Sequence, residues 1–211
     1  MGIKLLVVAC NTASSVSIPS LRSKFDIPVI GVIDPGAKKA VSVTKSGKVG
    51  VIGTPSTINS SAYTKAIHNL DSRIQVFTRA CPLFVPLADE GRTEGEIVER
   101  IAEEYLNPIK ESGIDVLVLG CTHYPLLKNT LQKVMGDSIT LVDSAEETAA
   151  QIKSVLIQKD LLNDENRESE REFYLTDVSD TFLSVAGRFL GEKIEKIEMV
   201  DIRGTTSLPP L

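Results

Sequence analysis

Short apolar, β-branched runs alternate with longer amphipathic stretches from one end of the chain to the other. The runs at Lys4–Ala9, Pro28–Ile33, Lys48–Gly53, Ile74–Thr78, Val116–Gly120, Ile139–Val142 and Glu172–Thr176 read as strands. Helical spacing of apolar positions covers Ser14–Lys24, Gly36–Thr44, Ser56–Asn69, Glu94–Ser112, Leu126–Met135, Ala145–Gln158 and Ser179–Leu190. Such alternation predicts an α/β fold with parallel strands and right-handed crossovers. A continuous apolar run such as Val116-Leu117-Val118-Leu119 suits a strand covered on both faces. Thr57, Thr122 and Ser144 are placed to cap helices, and Gly113 and Gly136 stand where helices should stop. Pro108 is the misfit: inside Glu94–Ser112 it should kink or split the helix. The charged stretch Asn163–Arg171 reads as a solvated connector, and Gly204–Leu211, with Pro209 and Pro210, as an extended or frayed tail.

Composition narrows the class. At 211 residues, 42% hydrophobic and 24% charged, the chain can bury a sizeable core and does not resemble a disordered protein. A formal charge of −5 argues against a nucleic-acid partner, which calls for a basic face. The apolar runs are strand-sized, and the start, Met1-Gly2-Ile3-Lys4, lacks signal-peptide architecture, so neither a membrane span nor secretion is expected. Three cysteines with no CxxC pair do not make a disulfide scaffold or a zinc site. Free thiols in a reducing cytoplasm are the expectation, with no metal and no cofactor.

Two segments look like copies of one device. Leu5-Leu6-Val7-Val8-Ala9 runs into Cys10-Asn11-Thr12-Ala13-Ser14, and Val116-Leu117-Val118-Leu119-Gly120 runs into Cys121-Thr122-His123-Tyr124-Pro125. Each is an apolar strand ending in a cysteine, then a hydroxyl- or amide-bearing residue, then a helix. Ligands of open α/β sheets bind at the carboxyl ends of strands, so both thiols reach the customary edge. Helix N-termini beyond them offer unpaired N–H groups to a carboxylate and favour thiolate over thiol. Asn11, Thr12 and Thr122 add hydrogen bonds for a polar substrate. Two cysteines from distant parts of the chain suit one reaction well. Inverting an α-carbon without a cofactor needs a base on one face and an acid on the other, and a thiolate/thiol pair supplies both.

Val-Val-Ala-Cys-Asn-Thr-Ala at Val7–Ala13 and Gly-Cys-Thr-His-Tyr-Pro at Gly120–Pro125 resemble the signatures of the glutamate racemases, within the aspartate/glutamate racemase superfamily. Gly50–Thr57 and Cys81–Leu87 also resemble family segments, and the likeness runs in order over nearly the whole chain. The resemblance implies two pseudo-symmetric parallel-sheet lobes, residues 1–33 with 143–211 and residues 34–142, around an interdomain cleft. It implies Cys10 and Cys121 as the catalytic pair, with Asn11, Thr12, Thr122 and His123 on the substrate. Asp89, where the family more often has Glu, and His123 are implied as acid/base support. The implied activity is interconversion of L- and D-glutamate, supplying D-glutamate for peptidoglycan; a homodimer is compatible with it. The family's first two βα units, with their Asp-Ser-Gly and Pro-Tyr-Gly motifs, have no counterpart before Cys10. The first lobe is therefore expected to be incomplete, with a sheet edge exposed beside the Cys10 strand. The alternatives are an aspartate racemase or other superfamily member, or an inactive truncated fragment.

Other features have plainer readings. Cys81, ahead of Pro82 in an apolar stretch, reads as packing, and His68 as exposed. A Cys–His hydrolase built on Cys121 and His123 would leave Cys10 unexplained. Asp34-Pro35-Gly36 reads as a turn or hinge, and Asp143-Ser144 as an N-cap. Gly50-Val51-Ile52-Gly53-Thr54 lacks both GxGxxG spacing and a P-loop lysine, so its glycines are read as permitting close backbone approach to a small substrate.

Overall fold

The computed structural model describes residues 2–163, 170–177, 180–191, 194 and 197–201. The expected connector falls largely on residues 164–169 and the expected tail on residues 204–211, both outside the described residues. The chain opens with β1 (Leu6–Val8), α1 (Asn11–Lys24), β2 (Val29–Gly31) and α2 (Ile33–Val43). β3 (Lys48–Gly53), α3 (Pro55–Asn59), α4 (Ala62–Leu70), β4 (Gln75–Ala80), α5 (Phe84–Asp89) and α6 (Glu96–Lys110) follow. β5 (Val116–Gly120), a 3-10 turn over Tyr124–Leu127, α7 (Lys128–Met135), β6 (Thr140–Val142) and α8 (Ala145–Gln158) come next. The described part ends with β7 (Phe173–Leu175), α9 (Asp180–Leu190) and β8 (Ile197–Met199).

The strands pair in parallel as β1-β2, β4-β3-β5-β6 and β7-β8, which is the α/β class that the alternation predicts. Among the described residues β1 pairs with β2 alone. The four-stranded sheet carries the core, and its strands use both faces at period 2. Val49, Val51, Val116 and Val118 pack with Ala37, Ala40, Tyr63 and Ile67 on one side. Ile52, Leu117 and Leu119 pack with Phe84, Ala102, Leu106, Leu127 and Leu131 on the other. Among the described residues no helix is long and apolar enough to cross a membrane.

The departures from the sequence reading have local causes. The expected helix Ser56–Asn69 is two helices, because Ser61 sits in the left-handed region at φ 55° and Ser60 bonds the backbone on both sides. Pro108 does not split α6. It lies in the last turn on an exposed face, and Glu104, whose carbonyl loses its intrahelical partner, is an exposed residue as well. Asp34-Pro35-Gly36 is not a separate turn but lies in the first turn of α2. Thr54, not Thr57, caps α3, its Oγ1 accepting the Thr57 N–H just ahead of Pro55. Asp143, not Ser144, accepts the Ala145 N–H at the start of α8. Gly113 and Gly136 do end helices, both with positive φ. α5 and β8 went unread, being short and set among prolines or charged residues.

Glycine at the ends of β3 and β5 lets the backbones of the two strands approach each other closely. A Cβ at Gly53 would stand 3.1 Å from the Gly120 carbonyl, and one at Gly120 would stand 2.6 Å from the Ile52 carbonyl. Those neighbours are backbone and cannot rotate away. Gly120→Ala should therefore overpack the sheet and lower stability by about 2–3 kcal/mol, read as a lower urea midpoint at unchanged m.

Candidate active site

The strand order β4-β3-β5-β6 reverses direction between β3 and β5, because the chain steps from β3 out to β4 and returns to the other side of β3. Crevices form at the carboxyl edge of such a switch point. Gly53 and Gly120 are register partners there, so Thr54 and Cys121 leave the sheet side by side. The 3-10 turn and α7 then carry the chain away from Cys121, with His123 just ahead of the turn.

β1 and α1 bring the other cysteine to the same edge. Cys10 is the N-cap of α1, its Sγ 3.5 Å from the Ala13 N–H. This sulfur cap starts the helix at Asn11 rather than at Ser14, so Asn11 and Thr12 occupy its first turn. Thr12 Oγ1 lies 2.8 Å from Thr54 Oγ1 and 3.1 Å from Thr57 Oγ1, and Thr54 and Thr57 are themselves 3.1 Å apart. A closed triangle of hydroxyls thus joins the N-termini of α1 and α3. Asn11 is buried, and its Oδ1 accepts from Tyr63 Oη at 2.7 Å. Thr122, expected as a cap, instead donates to the Ala9 carbonyl at 2.9 Å. The residue after the second cysteine therefore binds the residue before the first.

The two thiols differ in environment. Cys10 is exposed and Cys121 is buried. Burial pushes the Cys121 thiol up to about 11, opposed by the N–H groups of His123 and Tyr124 and reinforced by charge on Cys10. The thiol is thus held protonated, not as the thiolate expected beside a helix N-terminus. His123 Nδ1 lies 3.9 Å from Cys121 Sγ, and its Nε2 lies 3.2 Å from Asp89 Oδ1. The shorter carboxylate at position 89 does reach the imidazole. Cys81 is fully buried, its thiol pushed up to about 12 by desolvation, and its carbonyl accepts the Tyr124 hydroxyl at 2.8 Å. His68 is exposed, as expected.

The edge therefore carries an open sulfur, a buried thiol with an imidazole–carboxylate pair behind it, and a hydroxyl cluster at two helix N-termini. Among the described residues no group of three or more His, Cys, Asp or Glu could hold a metal ion. The relay Cys121–His123–Asp89 has the order of a nucleophile, a base and an orienting carboxylate. A thiol held near 11 is a poor nucleophile and a good proton store, which favours acid/base work.

The Asp/Glu/hydantoin racemase family model matches residues 1–152. A glutamate racemase of Geobacter metallireducens is 50% identical over 95% of this chain and 74% of its own length. The chain belongs to the glutamate racemase family. Solved structures agree. A glutamate racemase isoform of Bacillus anthracis superposes with TM-score 0.89 at 42% identity, covering 95% of this chain and 74% of that one. The Francisella tularensis glutamate racemase in complex with D-glutamate gives TM-score 0.89 at 36% identity, with the same coverage. The chain is thus a member of an isomerase family, built on its α/β fold.

Several residues around the two cysteines escaped the sequence reading. Thr54 was legible as a residue before a helix-opening Pro55, a common N-terminal signal. Tyr63 had no such signal, since only folding brings α4 against α1. Nor did Arg188 and Phe189 on α9: Arg188 donates to the Asp89 carbonyl at 2.9 Å, and the Phe189 ring stands edge-on to His123, centroids 6.0 Å apart.

The raised Cys121 pKa ties stability to pH. Folding holds a proton that the unfolded chain releases near pH 9, so the stabilisation is complete below about pH 8.5 and is lost as pH rises toward 11. The loss should reach about 2–3 kcal/mol. Urea unfolding at pH 8 and pH 11 should show it in the wild-type chain, and Cys121→Ala should be less steep by that amount.

Proposed function

We propose that this chain interconverts L- and D-glutamate without a cofactor, using Cys10 and Cys121 as alternating base and acid. The observation that carries this reading is the convergence of two cysteine turns, distant in sequence, at one sheet edge. The hydrogen bond from Thr122 to Ala9 joins them. Family membership names the substrate class, and the Francisella tularensis relative is known with D-glutamate bound. For the lobes we retain residues 1–33 with 143–211 and residues 34–142, which assigns one cysteine to each side of the cleft.

The substrate α-carboxylate would sit at the α1 N-terminus, where N–H groups and the neighbouring hydroxyls of Thr12, Thr54 and Thr57 can serve it. Charge drawn into that carboxylate makes the α-hydrogen more acidic, and donors fixed in advance stabilise the carbanion-like transition state. In one direction Cys10 sulfur takes the α-proton while the Cys121 thiol delivers its own to the opposite face. That turnover leaves Cys10 as thiol and Cys121 as thiolate, and the other direction starts from this state, Cys121 taking the α-proton while Cys10 delivers its own. His123, backed by Asp89, lies beside Cys121 to hold a proton there. Asn11 and Thr122 hold the two turns and complete the polar lining. No proton is gained or lost overall. D-glutamate made this way feeds peptidoglycan, the role of the family, and dependence on free thiols fits a cytoplasmic enzyme.

The test is α-proton exchange in deuterated water, followed by NMR alongside optical rotation, with glutamate and aspartate offered separately. Glutamate should exchange and racemise and aspartate should not. Cys10→Ala and Cys121→Ala should each abolish racemisation, a fall of about 10³-fold or more. A chain that exchanges neither amino acid, or a single-cysteine variant that still racemises, would overturn the proposal. Asp89→Asn should lower kcat by about tenfold and shift its alkaline limb, since the imidazole loses its orienting partner; an unaltered pH profile would remove Asp89 from the relay.

A further inference from the structure

We propose that Tyr63 is a positioning residue that ties the two cysteine turns together, its hydroxyl holding the carboxamide of Asn11 and its ring setting the place of Gly120. The inference rests on the two-thiol reading and names a residue that acts through its neighbours, since Tyr63 serves the turns and not the sulfurs. Asn11 follows Cys10 directly, and Gly120 precedes Cys121 directly. One side chain, 3% exposed on α4, meets both.

The hydroxyl end is specific. Tyr63 Oη donates to Asn11 Oδ1 at 2.7 Å in a buried setting, and the same oxygen faces the Ser144 hydroxyl. An amide is planar, so holding Oδ1 also fixes where the NH2 group of Asn11 points. A phenol buried without partners would be costly, whereas here it is engaged from two elements. The ring end is steric. A Cβ at Gly120 would stand 3.0 Å from Tyr63 Cε2, and a Cβ at Gly36 would stand 3.2 Å from Tyr63 Oη and 3.3 Å from Ser144 Cβ. Two glycines on different elements thus shape the slot for one ring. A phenylalanine would fill the slot and leave Asn11 unheld, which separates the two ends experimentally.

The test compares Tyr63→Phe, Asn11→Ala and the double variant in the full chain. Three quantities are read: steady-state racemisation in both directions, melting temperature, and the iodoacetamide alkylation rate of Cys10 with buried Cys81 as internal reference. Tyr63→Phe should lower kcat by about tenfold, move KM by less, and leave the fold intact. In the Asn11→Ala background it should add nothing, because the hydroxyl acts through that carboxamide. Cys10 alkylation should change by about threefold while Cys81 does not. An unchanged kcat and alkylation rate in Tyr63→Phe, or losses that multiply with Asn11→Ala, would overturn the inference. Alkylation also separates the two readings: a chain that does not racemise glutamate but whose Cys10 reactivity follows Tyr63 loses the first proposal and keeps the second. Should Tyr63→Phe fail to fold, Gly36→Ala carries the test. It favours the α2 helix yet crowds the tyrosine oxygen. It should lower kcat and alter Cys10 alkylation in a chain that still unfolds cooperatively above the assay temperature, and a Gly36→Ala chain unchanged in both would overturn the inference equally.

Discussion

A parallel sheet whose strands are buried on both faces can meet a ligand only at its ends, and this constraint organises the molecule. Val49, Val51, Val116 and Val118 are covered on one side and Ile52, Leu117 and Leu119 on the other, so from Val49 onward β3, and all of β5, is closed to a substrate. Parallel pairing then sends the carboxyl ends of both strands to the same edge. At the opposite edge the polar groups serve the fold: Asp115 accepts the Thr44 hydroxyl and the Lys45 and Ser46 N–H groups, closing the loop into β3. Chemistry at one edge and fastening at the other follow from a single packing decision.

The cysteine edge is held by few but well-placed ties. Thr122 reaches the Ala9 carbonyl, Thr12 reaches Thr54 and Thr57, and Tyr63 reaches Asn11. Each joins the β1–α1 turn to a helix or turn that follows a strand of the four-stranded sheet. Hydrogen bonds of this kind contribute roughly 1 kcal/mol each to stability, too little to hold a domain but enough to choose one arrangement of a turn. Their value lies in geometry, since proton transfer at carbon tolerates little misplacement. The asymmetry of the thiols has the same origin: Cys121 ends a strand inside the sheet and is desolvated, while Cys10 caps a helix at its margin and is open.

α9 adds something the sheet does not dictate. It packs on α5 and brings Arg188 to the Asp89 carbonyl and Phe189 to the His123 ring. The imidazole is thereby held between a carboxylate and an aromatic edge, and its neighbours come from three separate parts of the chain.

Much of this was legible in the residues alone. Apolar runs at strand length, amphipathic stretches between them and a cysteine at the end of two strands set the α/β class and the candidate pair, because burial and backbone pairing act on local pattern. The family segments added His123 and Asp89, which the fold does bring into contact. Local competition already blurred the reading: two serines broke one expected helix, and Pro108 was tolerated in the exposed last turn of α6. What no local pattern carries is which side chain from a distant element fills a gap. Tyr63 beside Asn11, Thr54 and Thr57 beside Thr12, and Phe189 beside His123 depend on how helices settle on the sheet, as does the burial that keeps the Cys121 proton in place. Local pattern was enough to place β1 to β7, their carboxyl edge and the two sulfurs. Packing set the environments of those sulfurs, since solvation and proximity belong to the folded chain and not to any segment of it.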